Sequence, residues 1–148
     1  MKKKIFAGIL ILFVAVSAFA DRKKEPLIDF IIDVYNHKEP ASNENFLKRG
    51  FLKNRGGYIT VWENLTVQVF VEKDGTLDSF SFSANNQQTF LSDWQKFIVY
   101  IYDTYNVKTS KGFYPDGSFL EETTHYTFNN VRVINCFSSH YKFLITHY

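Results

Sequence analysis

Cysteine and proline are scarce in this sequence, which has one cysteine, Cys136, and three prolines among its 148 residues. A lone cysteine cannot form an internal disulfide, so the fold has to depend on its apolar core. The sequence also lacks the patterns G-x-x-x-x-G-K-[ST], G-x-G-x-x-G and G-x-S-x-G. Phosphate-binding loops, dinucleotide-binding turns and the serine elbow of the α/β-hydrolases therefore have no support.

Clustered positive charge is scarce as well. The nearest approaches to a cluster beyond residue 20 are Arg22–Lys24 and the spread set Lys48, Arg49, Lys53 and Arg55. Without residues 1–20, which contain three lysines and no acid, the formal net charge changes from +2 to −1. Nucleic-acid surfaces usually concentrate lysine and arginine on one face, so we expect no nucleic-acid partner.

The one long apolar run lies at the N-terminus. Ile5–Val16 follows Lys2–Lys4, and Ala18–Ala20 ends the segment with a small-x-small pattern. These features are typical of a secretory signal peptide, and the run is short for a membrane span. We therefore expect cleavage after Ala20, a secreted or periplasmic location and no membrane span in the mature chain. Residues 21–148 would form one domain, with residues 21–26 as a flexible N-terminus.

Aromatic residues, in contrast, are abundant. The sequence has 16 phenylalanines, 9 tyrosines and 2 tryptophans, more than one helix and one sheet face should need for a core. Some of these rings should therefore be partly exposed, and this surplus is the main functional clue.

Two segments have the apolar spacing of helices. In Thr89–Tyr105 the apolar stripe consists of Phe90, Trp94, Phe97, Ile98, Ile101 and Tyr105, which predicts a core helix with Trp94 and Phe97 buried. A second helix is predicted over residues 27–37, because Pro26 suits a first helical turn and Pro40 lies beyond the end. Residues 43–51 could form a short helical turn or an ordered loop, capped by Ser42 or Asn43.

The segments that flank the central helix alternate at the period of β-strands. The predicted strands are Tyr58–Glu63, Leu65–Lys73, Thr76–Ser83, Phe119–Phe128, Val131–Ser138 and Tyr141–Tyr148, with a less regular one at Lys108–Phe113. Asp74-Gly75 and Asn129-Asn130 are predicted turns. The predicted fold is α+β: one mostly antiparallel sheet of six or seven strands with two helices on one face, in the order α-βββ-α-βββ or α-βββ-α-ββββ.

The first functional hypothesis is an exported, non-enzymatic binding or interaction domain. Its aromatic-rich sheet face would use Tyr58, Trp62, Phe70, Phe80 and Phe82. Large rigid rings favour contact with a protein, peptide or glycan, because they lose little entropy on binding. A structural envelope or assembly role, including self-association, is a second reading of the same surface.

The alternative hypothesis is a small extracytoplasmic hydrolase. A strand register set by Asn129-Asn130 would place His125 opposite Ile134. The same register would bring Cys136, His125 and Glu121 to one face of the sheet. These residue types could act as nucleophile, base and orienting acid, although a cysteine in the middle of an apolar strand is more typical of a core residue. Among His125, His140 and His147, no H-x-H pair or helical H-x-x-x-H pattern holds two possible metal ligands together. Asp29, Asp33 and His37 share one helix face, but three ligands on a single helix rarely converge on a metal without a fourth group from elsewhere. We therefore predict neither a metal nor a cofactor.

Overall fold

The computed structural model of the protein describes residues 24–116, 119–136 and 141–148, while the side chains of residues 114–121 are outside this description. Within these residues the chain forms three helices: α1 Pro26–Tyr35, α2 Asn43–Lys48 and α3 Gln87–Thr104. It also forms eight strands: β1 Leu52–Asn54, β2 Gly57–Trp62, β3 Leu65–Val71, β4 Leu77–Ser83, β5 Lys108–Asp116, β6 Phe119–Phe128, β7 Val131–Asn135 and β8 Lys142–His147. The predicted signal peptide, residues 1–20, lies outside the described residues.

The strands form one antiparallel sheet in the order β1-β2-β3-β4-β8-β7-β6-β5. Each half of the chain contributes a meander of four strands that follows at least one helix, and the two meanders meet where β4 pairs with β8. The α+β class with a single antiparallel sheet is confirmed. The predicted element count is wrong, because the described residues form eight strands and three helices rather than six or seven strands and two helices.

The elements missing from the predicted count are the shortest ones. Strand β1 has three residues and is defined only by its pairing with β2, in which Leu52 lies opposite Ile59. Helix α2 has six residues, and the Ser42 side chain caps it by accepting the Asn45 backbone N–H at 3.2 Å. Neither segment is long enough to show a periodic pattern. Strand β1 is therefore defined by its pairing, whereas α2 is the short helical turn for which the sequence offered Ser42 as a cap.

Helix α1 begins with Pro26 at its first position and ends in a Schellman motif. The backbone N–H of Lys38 donates to the carbonyl of Asp33 at 2.9 Å, and the N–H of His37 donates to the carbonyl of Val34 at 3.1 Å. His37 occupies the left-handed position of this motif with φ of 58°. Glycine usually fills that position, so His37 holds a conformation that is unfavourable for its side chain.

Helix α3 is the predicted core helix, shifted by one or two residues. The Asn86 side chain caps it by accepting the backbone N–H of Thr89 at 2.9 Å. Phe90, Phe97 and Ile101 are fully buried, while the rest of the predicted stripe is partly buried. Trp94 is among the partly buried residues, which corrects the expectation that it is buried. Among the described helices none is both long and apolar enough to span a membrane.

The turn at Asn129-Asn130 has the predicted geometry. Both asparagines have positive φ, 42° and 57°, as the type I′ hairpin turn requires. The turn sets Phe128 opposite Val131 and His125 opposite Ile134. This is the register predicted from the sequence.

The turn at Asp74-Gly75 differs from the prediction. Only Gly75 has positive φ, and its backbone N–H donates to the carbonyl of Glu72 at 2.9 Å. The loop has three residues, because the N–H of Glu72 closes it by donating to the carbonyl of Thr76 at 2.8 Å. A three-residue loop with a left-handed glycine is the next most common hairpin connection.

All three helices pack on the same face of the sheet, where the core lies. Phe80 and Phe82 are two residues apart on β4 and therefore share that face. Tyr35 of α1 contacts Phe80 with ring centroids 5.8 Å apart, and Phe97 of α3 lies 6.3 Å from Phe82. Phe46 of α2 lies 6.2 Å from Phe80. The aromatic surplus seen in the sequence thus goes largely into this interior.

Candidate functional site

The sheet face opposite to the helices carries exposed apolar side chains near its β1 edge. Leu52 lies opposite Ile59, and Val61 follows Ile59 on the same face. Phe70 of β3 lies opposite Gly57 and is therefore a diagonal neighbour of Ile59. The exposed fractions are 69% for Leu52, 65% for Val61 and 40% for Phe70, while Ile59 is half-buried. We call Leu52, Ile59, Val61 and Phe70 the outer apolar patch.

The centre of the same face is closed to solvent. Ser79 and Ser81 on β4 are buried, and Ile134 and Leu144, together with Cys136, form a second small buried cluster. This cluster is separate from the main core on the helix side. The exposed side chains of Leu52, Val61 and Phe70 therefore lie at the β1–β3 end of this face, beside its closed centre.

The five aromatic residues predicted to bind a ligand do not lie together on one surface. Phe80 and Phe82 are fully buried in the main core, and Trp62 is buried beside them. Tyr58 faces the helices, stacks on Phe46 and donates its hydroxyl to Asn43 Oδ1 at 3.1 Å. Only Phe70 faces away from the helices and is exposed. The binding role of these residues stays a prediction, and Phe70 is the member that offers surface to a partner.

Trp62 has a structural partner at the start of α1. Its indole N–H donates to Glu25 Oε2 at 3.2 Å, and its ring contacts Phe82 and Phe97 at 6.0 and 6.3 Å. Glu25 is buried and Pro26 opens α1. Glu25 and Pro26, the last two residues of the segment predicted to be a flexible N-terminus, thus belong to this contact and to α1.

Of the candidate catalytic residues, His125 lies opposite Ile134, and Cys136 packs with Ile134 in the small buried cluster, but neither side chain is hydrogen-bonded to the other. His125 Nε2 lies 2.9 Å from Thr123 Oγ1, and the Cys136 thiol donates to the carbonyl of Ile134 at 3.8 Å. Strand β7 ends at Asn135, so Cys136 does not pair with Thr123 in the ladder. The side chain of Glu121 lies outside the described residues, and a catalytic role for the three residues stays an untested prediction.

The His125 ring packs against the backbone of a neighbouring strand. A Cβ atom added to Gly112 would lie 2.5 Å from His125 Cε1, so glycine provides the space for the ring. Burial, and to a smaller extent the positive charge of Arg132, lower the pKa of His125. His125 is thus a packed histidine that favours its neutral form.

A carboxylate joins α1 to α3. Asp29 Oδ1 accepts a short hydrogen bond from the Tyr100 hydroxyl and a longer one, at 3.3 Å, from the Tyr105 hydroxyl. Burial, and then the hydrogen bond to Asp29, raise the pKa of Tyr100 to about 12. Burial and the charge of Asp29 also raise the pKa of Tyr105. This cluster holds two helices together and has no feature of a substrate site.

A second polar cluster fastens the turn between β2 and β3 to α3. Asp93 is fully buried and accepts the backbone N–H of Asn64 at 2.9 Å. Lys96 Nζ lies 3.1 Å from Asp93 Oδ1 and 3.0 Å from Glu63 Oε2. Its pKa is raised by these two hydrogen bonds, the one to Glu63 first. The lysine occupies the place between the carboxylates, so the cluster is a structural clamp.

Neither predicted polar set forms a metal site in the part of the chain that the structure describes. No group of three or more histidine, cysteine, aspartate or glutamate side chains converges there. On α1, Asp29 turns to the tyrosines of α3, whereas Asp33 pairs with Lys38 at 3.8 Å. His140 lies outside the described residues.

The sequence indicated Phe70 but missed the other members of the outer apolar patch. Leu52 belongs to a strand too short to be predicted, and its neighbours follow from the pairing of β1 with β2. The alternation of Ile59 and Val61 with Tyr58, Thr60 and Trp62 was the available signal.

None of the family models, curated proteins and solved structures compared with the chain matches it significantly.

Proposed function

We propose that the protein is a small exported domain without enzymatic activity of its own, which binds a protein partner through the outer apolar patch. Export is inferred from the signal-peptide pattern of residues 1–20. The observation that carries the binding proposal is the exposure of Leu52, Val61 and Phe70 on one face at one end of the sheet.

The exposed side chains are adjacent rather than scattered. Single exposed apolar residues are normal on any protein surface, whereas contiguous ones mark interaction sites. Leu52, Ile59 and Val61 follow one another across β1 and β2, and the Phe70 ring extends the patch onto β3. The patch also borders β1, the last strand of the sheet, whose outer edge has no strand partner in the described part of the chain.

A protein partner fits the chemistry of the patch better than a glycan. Three of its four members are aliphatic, and apolar area of this kind forms the buried centre of protein interfaces. Glycan sites depend on polar groups that bond sugar hydroxyls around an aromatic platform, and Phe70 is the single aromatic member here. If the protein partner is a second copy of the chain, the patch serves self-association, which is the structural or assembly role considered from the sequence.

Site-specific photo-crosslinking tests the proposal in cells that produce the protein. Val61 is 65% exposed in the patch, and Val99 is 53% exposed on α3 on the opposite side of the sheet. Replacing each valine in turn with p-benzoylphenylalanine gives a matched pair of probes. We expect a discrete protein adduct from position 61 and none from position 99. An adduct with the mass of two chains would identify the partner as a second copy.

A point variant provides the second arm. Phe70→Ser should reduce the adduct from position 61 at least severalfold, because it removes the one aromatic ring of the patch. Its free energy of unfolding should fall by about 1–2 kcal/mol, since the ring is already 40% exposed and only its buried part is lost. Equal adducts from both positions, or none from position 61, would show that the patch is not an interaction surface.

A further inference from the structure

A cavity of about 550 Å³ lies on the helix side of the sheet, away from the outer apolar patch. It is formed where α1 ends, between the loop that leads to α2, the start of β4 and the end of β8. Its lining divides by burial: Val34 and Tyr35 are buried and Leu77 is half-buried, and we call these the floor, whereas we call the exposed His37 and His147 and the half-buried Glu39 the rim. Small-molecule sites have volumes of about 300–1,000 Å³ and this combination of apolar walls with few polar groups.

The Tyr35 hydroxyl in the wall of the cavity is already bonded. Tyr35 donates its hydroxyl to the carbonyl of Ile145 at 2.9 Å, so it presents its ring rather than a donor. The His147 ring lies 6.4 Å from the Tyr35 ring, measured between centroids. A ligand would therefore meet apolar and aromatic surface at the floor, and polar groups only at the rim.

The charges around the cavity favour a cation. The cavity lies at the C-terminal end of α1, which carries the partial negative charge of the helix dipole. The carboxylate of Glu39 is at the rim. Burial first, and then the negative charge of Asp78, raise the pKa of Tyr35, so the charge of Asp78 also reaches this wall.

The cations near the cavity do not occupy it. Arg49 lies 3.6 Å from Glu39 Oε1, and Lys38 lies 3.8 Å from Asp33 Oδ1. Neither basic residue lines the cavity. All four side chains are at least one-third exposed, and ion pairs of this kind contribute little stability. Glu39 Oε2 also accepts the Asn45 side-chain amide at 3.2 Å. A ligand ammonium group would share the Glu39 carboxylate with Arg49 and Asn45, because each carboxylate oxygen can accept more than one hydrogen bond.

The backbone at the rim is held in an unfavourable conformation. His37 has φ of 58°, where a glycine would be relaxed, and its side chain contributes to the rim. This conformation belongs to the Schellman motif that ends α1, and the motif thereby fixes the place of the His37 side chain at the rim. This observation is independent of the charge distribution.

We propose that this cavity binds a small organic cation with an apolar body, of the arylalkylammonium class. The aromatic or aliphatic body lies on Val34, Tyr35 and Leu77, and the ammonium group lies at the rim beside Glu39. The site is separate from the proposed protein interface, so either proposal can fail without the other.

Two probes of the same size and opposite charge test the ligand class. Titration calorimetry of the full-length chain with phenethylammonium and with 3-phenylpropionate compares the two directly. We expect saturable binding of one ammonium probe per chain, weakened by added salt, and binding of the carboxylate at least about tenfold weaker. Carboxylate binding as tight as that of the ammonium, or no saturation by the ammonium at millimolar concentration, would overturn the proposal.

Two matched variants test the position of the charge. Glu39→Gln removes the rim carboxylate, and Asp33→Asn removes a carboxylate from the same end of α1 that pairs with a basic residue but does not line the cavity. We expect Glu39→Gln to weaken binding of the ammonium about fivefold, as loss of about 1 kcal/mol implies. Asp33→Asn should leave the dissociation constant within twofold. Equal losses in both variants would place the cation elsewhere.

Discussion

Replacing Phe97 with alanine should remove a large part of the stability of this domain. Phe97 is fully buried, and its ring contacts the rings of Phe143, Trp94, Phe82 and Trp62, with centroids 4.5 to 6.3 Å apart. These rings come from α3, β2, β4 and β8, so one side chain joins four elements. The alanine variant would leave a cavity at their junction.

The magnitude follows from burial and cavity formation. Removing a fully buried phenylalanine side chain loses about 2–3 kcal/mol of transfer free energy. The surrounding rings belong to separate elements and cannot all move inward, so a residual cavity adds about 1–2 kcal/mol. We therefore expect Phe97→Ala to lower the free energy of unfolding by about 3–5 kcal/mol.

Chemical denaturation provides the measurement. Trp62 and Trp94 both contact the Phe97 ring, so their fluorescence reports unfolding at this point, while circular dichroism reports the whole chain. Val99→Ala, at an exposed position on the same helix, is the control and should cost less than about 0.5 kcal/mol. If the alanine variant does not fold, Phe97→Leu should still fold with a smaller loss. A loss below about 1 kcal/mol for Phe97→Ala would refute a core role for α3.

Three further predictions concern the tyrosine cluster, a glycine and the end of α1. The folded-state pKa of Tyr100, about 12, exceeds its ordinary value of 10.0. The stabilising contribution of the Tyr100 hydroxyl should therefore be complete below pH 10 and disappear as the pH rises to 12. Between these pH values, the melting temperature of Tyr100→Phe should fall less than that of the unmodified chain. Gly112→Ala should lower the free energy of unfolding by about 1–3 kcal/mol, because the added Cβ meets the His125 ring. In the His125→Ser background the same glycine substitution should cost much less, as measured by denaturation. An unchanged loss would mean that the ring is not the obstacle. His37→Gly should raise the free energy of unfolding by about 1 kcal/mol, measured from the denaturation midpoint, because glycine accepts the left-handed backbone without strain; a decrease would show that the imidazole makes a stabilising contact.

The sequence alone determined the elements whose residues repeat at a regular period. The apolar stripe of residues 89–105 predicted α3, because a helix of that length places these side chains on one face. The alternation of Leu65, Val67 and Val69 with polar residues predicted β3 and the face that it buries. The two asparagines at Asn129-Asn130 predicted the register of β6 with β7, since few residues accept the left-handed conformation of a type I′ turn.

Only the tertiary structure decided which aromatic rings are exposed. From the sequence, Trp62, Phe80 and Phe82 were predicted to form a binding surface, but the three helices pack over them and bury them. Their burial depends on contacts between segments that are far apart in the sequence. Strand β1 and the outer apolar patch exist only through the pairing of Leu52 with Ile59. The cavity at the end of α1 likewise joins residues from the first and last parts of the domain, His37 and His147. Local periodicity fixes elements, whereas exposure depends on how separate elements meet, and that information is not local in the chain.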